Sequence, residues 1–122
     1  MATPKDALAK LMALDGIVGA CIMHSESGMV LGAVSGDSAF DLEVAAAGNT
    51  EVVRAKRRTM RSLGLKDPIE DILITLGRQY HLLRPLHAND EIFLYVALDR
   101  QRANLALARL ALAAAEKDLV ID

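Results

Sequence analysis

Three histidines, a single cysteine, a few serines and two pairs of adjacent carboxylates are the side chains of this 122-residue chain with chemistry to offer. His24, His81 and His87 fall on separate predicted elements, without the i, i+4 spacing that puts two ligands on one helix face, so they form no metal motif. Cys21 lies in the apolar run IVGACIMH with no basic neighbour to lower its thiol pKa, and reads as a small core residue. Ser25, Ser27 and Ser38 sit among turn formers and lack the context of a nucleophile elbow. Glu70-Asp71 and Asp90-Glu91 are chain neighbours, which on a strand point to opposite faces and cannot cooperate as an acid/base pair; they read as solubilising edges and loops. The glycines have neither the spacing nor the Lys-Ser/Thr ending of a P-loop, so the chain is not expected to be a GTPase itself. No catalytic, cofactor or metal site is expected.

The densest charge is RAKRRTMR, Arg54 to Arg61, with five positive side chains in eight residues. Such a run can meet phosphates, yet no aromatic interleaves it and the whole chain carries a net charge of -2. The favoured reading is a solvated helix end that complements the helix dipole, with attraction to an acidic protein as a further alternative. Hydrophobic residues make up 52% of the chain, which argues against disorder and fits one domain, 1–122, with an ordinary core. One cysteine excludes an internal disulfide and suits a reducing compartment. No leader and no uninterrupted apolar span is apparent, so a cytoplasmic protein without membrane insertion is expected.

These side chains must be carried by elements that the hydropathy pattern outlines. Thr3-Pro4 reads as the cap and first turn of a helix to about Leu14, whose side Leu8, Leu11, Met12 and Asp15 is closed by Gly16. Ile17–His24 is apolar on both alternating faces and reads as a central strand; Met29–Val34 completes a hairpin with Gly28 at the strained turn position, followed by a loop at Ser35–Ser38. A helix is predicted over 41–63, roughly 34 Å long against about 24 Å for a five-stranded sheet, so it can overhang. Strands are predicted over 69–76, 80–85 and 92–98, the last apolar on both faces and hence central, with Pro85 at a strand end. A final helix, Arg100 to Leu119, has Ala103, Leu107, Leu110 and Ala114 on one side and Leu105, Ala108, Leu112 and Leu119 nearly opposite, which calls for cover on two faces.

The order of these elements, with GACIMHSESGMVLG, DILITLGRQYHLLRPL and IFLYVALDRQRANLALARLAL, resembles the roadblock/dynein light-chain family over nearly the whole chain. The resemblance implies an α/β (α+β) fold of profilin/longin-like type: an antiparallel five-stranded sheet in the order 2-1-5-4-3, with the long helix on one face and the terminal helices on the other. It also implies dimerisation through the long helix and the third strand, and binding or regulation of Ras-like GTPases, motor complexes or signalling scaffolds.

On the long helix, Leu42, Ala45, Asn49, Val52, Val53, Met60 and Leu63 are expected to face the sheet. Ala47, Glu51, Arg54, Arg58 and Arg61 are expected outside, near the small-residue segment Ala45–Asn49 that permits close helix approach. These five, with Ile72 and Ile74 of the third strand, are the candidate homodimer residues; Lys56 and Arg57 are candidates for binding a partner. Arg54, Arg57, Arg58 and Arg61 could supply an arginine finger, a role the resemblance assigns to none of them. The expected function is a non-enzymatic homodimeric adaptor that presents a composite surface to a small Ras-like GTPase or signalling scaffold. A small-molecule-binding sensor is the alternative, with only two Phe, two Tyr and no Trp to line a pocket.

Overall fold

A strand that is apolar on both faces is stable only when covered on both, and two such strands lie side by side in the middle of the sheet. The computed structural model describes residues 2–37 and 40–121. Five antiparallel strands, β1 (Ile17–His24), β2 (Val30–Ser35), β3 (Ile72–Thr75), β4 (Gln79–Pro85) and β5 (Ile92–Asp99), are arranged in the order β2-β1-β5-β4-β3. The expected order is therefore the observed one. Ile92 through Leu98 are all buried, and β1 is buried from Gly19 to Met23.

Alternation along the strands divides the interior into two cores. Ala20, Ile22, Leu82, Leu94, Val96 and Leu98 project to one face, where helix α1 (Pro4–Leu11) and helix α3 (Leu105–Asp118) contribute Leu8, Leu11, Ala108 and Leu112. Cys21, Met23, Leu83, Phe93, Tyr95 and Ala97 project to the other, under Leu42, Ala46 and Val53 of helix α2 (Leu42–Ser62). The Cys21 thiol is fully buried, and burial pushes its pKa up to about 12, as a core role demands.

Helix starts follow the capping chemistry of the sequence. Thr3 and Asp6 form a reciprocal capping box ahead of Pro4. Asp41 accepts from the Val44 N–H, and Asn104 from the Leu107 N–H. Gly16, Gly28 and Gly64 have φ of 80°, 73° and 70°, the left-handed values that close the turn leading from α1 into β1, turn the β1–β2 hairpin and end α2.

Several expected boundaries shift. α1 stops at Leu11 with Met12 as its cap, which leaves Asp15 exposed and off the buried stripe. β3 begins at Ile72, three residues late, because Glu70 and Asp71 are drawn to cations of neighbouring elements. α3 begins at Leu105, because Asp99–Ala103 is a turn in which the Asp99 carboxylate and carbonyl accept from Gln101 and Ala103. Its two apolar sides are not both covered: Leu107 and Leu110 are 58% and 67% exposed. On α2 the buried residues are Leu42, Ala46, Asn49, Thr50 and Val53. Val52 and Leu63, expected to face the sheet, are 37% and 66% exposed. The buried side of α2 is centred nearer Ala46 than Ala45, which rotates the expected contact line by less than one residue step. The turn reading of Ser38, at the end of the loop after β2, lies outside the described residues.

Candidate protein-interaction surface

The basic run on α2 divides into side chains that serve the fold and side chains that face outward. Arg54 donates through Nε to the Ser25 carbonyl at 2.6 Å, through Nη2 to the Glu26 carbonyl, and through Nη1 to Glu51 at 2.6 Å. Arg57 donates to Ser25 Oγ at 3.0 Å and to the Asp90 carbonyl. Ser25 is fully buried, and its hydroxyl donates to the Glu91 carbonyl at 3.0 Å. The two arginines thus tie the second half of α2 to the β1–β2 turn and the β4–β5 loop. Arg54 was expected on the outer side of the helix; it lies half-buried against its own hairpin instead, because main-chain carbonyls that turn away from the sheet need donors. Lys56, Arg58 and Arg61 are exposed.

The outward side of α2 carries an apolar and small-residue stripe. Val44 is 68% exposed and Val52 37% exposed, and a side chain built on Gly48 would meet nothing within 4 Å. With exposed Ala55, these residues sit at i, i+4, i+8 and i+11, one strip along a helix. Ala47, Glu51 and Arg58 are exposed along one border of this strip. Ala45, one helical turn before Gly48, is half-buried beside the second core together with Ile72 and Ile74 of β3. Helix α2 and these two β3 side chains thus lie on the same face of the sheet, and β3 has a neighbouring strand on one side only. The spacing of Val44, Gly48, Val52 and Ala55 is the sequence signal for this strip; assigning Val52 to the sheet face hides it.

Between this helix and the sheet, Tyr95 is fully buried. Its hydroxyl lies 3.3 Å from His81 Nδ1, and His81 stacks edge-on with Phe40 and Tyr95. Burial pushes the Tyr95 pKa up to about 12 and the His81 pKa down, so both are neutral at physiological pH.

Beyond the C-terminal half of α2 an open cleft of about 760 Å³ lies against the α2–β3 and β4–β5 loops. Arg57, Met60, Arg61, Pro68, Ile69, Leu86 and His87 are among its walls. His87 is held there by Glu116 of α3, whose carboxylate accepts from the His87 N–H at 2.7 Å, from Arg84 Nε at 2.7 Å and from the His87 ring at 3.0 Å. Glu70 adds contacts of 3.9 Å to Arg84 and 3.4 Å to the His87 ring. Glu70 and Asp71, expected as solubilising neighbours, thus divide between Arg84 with His87 and Arg109. Nothing in the sequence pointed to Glu116 as their hub.

His24 sits 3.4 Å from Glu91, and the three histidines remain on separate elements. Among the described residues no group of three His, Cys, Asp or Glu is placed to hold a metal ion. No helix of the described residues is long and apolar enough to cross a membrane.

No family model matches the sequence, and no curated protein matches it. Solved structures do match the fold. A roadblock/LC7 domain from Streptomyces avermitilis is 15% identical, with a TM-score of 0.74 over 89% of this chain and 87% of that one. MglB from Myxococcus xanthus is 14% identical, with a TM-score of 0.76 over 91% of this chain and 82% of that one. A structure described as MglB with a tetrameric arrangement is 16% identical, with a TM-score of 0.79 over 93% and 82%. The strand order, the two-faced helix arrangement and these matches agree that the chain has the roadblock/LC7 fold.

Proposed function

We propose that this chain is a non-enzymatic homodimeric adaptor of the cytoplasm, in which two copies pair through α2 and β3 and present a composite surface to a small Ras-like GTPase or a signalling scaffold. The observation that carries the reading is the exposed strip of Val44, Gly48, Val52 and Ala55 on a helix that covers the same core as the half-buried Ile72 and Ile74 of an open edge strand. An apolar, low-bulk helix surface next to an unpaired edge is what a two-fold contact covers. Ala47, Glu51, Arg58 and Arg61 would rim that contact, Arg54 and Arg57 would act through their hold on the β1–β2 turn and the β4–β5 loop, and exposed Lys56 would lie toward the partner. The likeness to MglB, one structure of which is tetrameric, supports an oligomeric regulator. Such an adaptor changes a GTPase only if it binds one arrangement of the switch segments better than the other.

Gly48→Arg tests the dimer. The position is open, so the isolated chain keeps its fold while a long cation enters the contact. Sedimentation equilibrium should show the variant losing the wild-type α2-mediated dimer; a variant of unchanged mass, or a monomeric wild type at micromolar concentration, contradicts the reading. Dimer-dependent binding of a Ras-like GTPase, measured with both of its nucleotide states, then tests the partner.

The cleft of about 760 Å³ favours a second reading, a small-molecule sensor, since its size suits a metabolite. A thermal-shift screen decides between them: a large shift with a metabolite and no GTPase binding supports the sensor.

A further inference from the structure

A sheet has two edges, and the edge formed by β2 is not used by the α2 and β3 contact. The segment Val30–Gly36, VLGAVSG, carries no charge and no proline, the usual devices that keep an edge from pairing. Its one irregularity is a register shift at Leu31, after which Gly32–Gly36 runs regularly against β1. The Gly36 N–H donates to the Val18 carbonyl at 2.7 Å, and Val34 and Gly32 lie opposite Ala20 and Ile22. Antiparallel alternation therefore turns the N–H and C=O groups of Ala33 and Ser35 away from β1, along the outer edge. Ala33 and Ser35 are exposed, and Val34 is 40% exposed.

Helix α1 accompanies this edge on one face. A side chain built on Gly32 would lie 2.9 Å from Leu8 Cδ1, and one on Gly36 would lie 3.3 Å from Met12 Cε, so α1 runs beside β2 in the same direction. Val34 shares that face, because its neighbour Ala20 belongs to the core under α1. Exposed Ala9 and half-buried Met12 lie on the helix above it.

We infer that β2 pairs antiparallel with β2 of a second copy, about a two-fold axis at Val34. In this register Ala33 of each copy faces Ser35 of the other, giving four main-chain hydrogen bonds, and the two Val34 side chains meet in the closely spaced, non-hydrogen-bonded position. Since α1 packs on both β1 and β2, its axis lies between them. At ~4.8 Å per strand the two α1 axes fall roughly 9.6 Å apart, within the 8–10 Å of packed helices. A second copy is thus the occupant that brings its own α1 to cover Val34 and Met12, which a lone foreign strand does not. Glu26 and Asp37, the acidic residues flanking the edge, do not face each other in this register. Combined with a contact at the opposite edge, the pairing extends dimers into tetramers or longer continuous sheets.

The contact stands apart from the α2 reading, and its test is run in the Gly48→Arg background. There, sedimentation equilibrium should reveal a β2-linked dimer, and amide exchange at Ala33 and Ser35 should slow as concentration rises. Val34→Glu or Val34→Lys added to that background sets like charges opposite one another and should weaken association about tenfold. An equimolar mixture of the two should restore it. Concentration-independent exchange at Ala33 and Ser35, or a mixture that associates no better than either variant alone, overturns the inference. Failure of Gly48→Arg to change the wild-type dimer while Val34→Glu dissolves it counts against the α2 reading and for this one.

Discussion

Removing the Glu116 carboxylate should be the costliest change to a charged side chain. Its side chain is 7% exposed and accepts from Arg84 Nε, itself on a side chain 14% exposed, and from the His87 main-chain N–H, both at 2.7 Å. Burial alone would raise its pKa, but the His87 N–H, the Arg84 guanidinium and the His87 ring outweigh burial and hold the carboxyl below its usual value. Glu116→Ala leaves the Arg84 guanidinium with Glu70 at 3.9 Å and strands the His87 N–H. Two charge-assisted hydrogen bonds at ~1.5–3 kcal/mol each, discounted for the remaining Glu70, give a loss of about 3 kcal/mol. For a chain of this length that lowers Tm by about 12 °C. Urea unfolding followed by circular dichroism measures it directly. Glu116→Gln, which keeps an acceptor and loses the charge, should fall between wild type and Ala. A loss below about 1 kcal/mol for Glu116→Ala would show that the network is solvated and does not join α3 to β4.

The same cluster gives a pH dependence. Hydrogen bonding to Glu116, then the charges of Glu116 and Glu70, raise the His87 pKa above its ordinary 6.5. A raised folded-state value contributes stability that is complete below 6.5 and lost as pH rises through the folded pKa, so His87→Gln should flatten the stability profile on the alkaline side; parallel profiles for variant and wild type would contradict this. Gly16→Ala should cost about 3 kcal/mol in urea unfolding, from left-handed strain plus a main-chain clash. Gly16 has φ of 80°, and the new methyl would lie 2.9 Å from the Ala103 nitrogen. Cys21, with its thiol pKa pushed up to about 12, should resist alkylation at mildly alkaline pH until urea unfolds the chain; rapid native labelling would show that the second core opens.

Much of the frame was written in local pattern. The two strands apolar on both faces announced their central places, Thr3-Pro4 marked the start of the first helix, and Gly28 marked the hairpin turn. Where local signals competed, the chain pattern misled. The apolar periodicity of α3 runs on both sides of the helix, but the sheet and α1 cover one, leaving Leu107 and Leu110 in solvent. On α2, hydrophobicity suggested that Val52 turns inward, whereas the fully buried polar Thr50, which donates to the Ala46 carbonyl, takes the inward place.

The sequence by itself determined element types, their order and the two central strands, because period-two and helical patterning, caps and left-handed glycines act over a few residues. Only tertiary structure decided the partners of the charges. Arg54 and Arg57 reach main-chain carbonyls 28 to 33 residues away, and Glu116 gathers Arg84 and His87 from 32 and 29 residues away. A long flexible side chain leaves no periodic trace of where its charge will settle; that depends on which loops the closed sheet brings within reach.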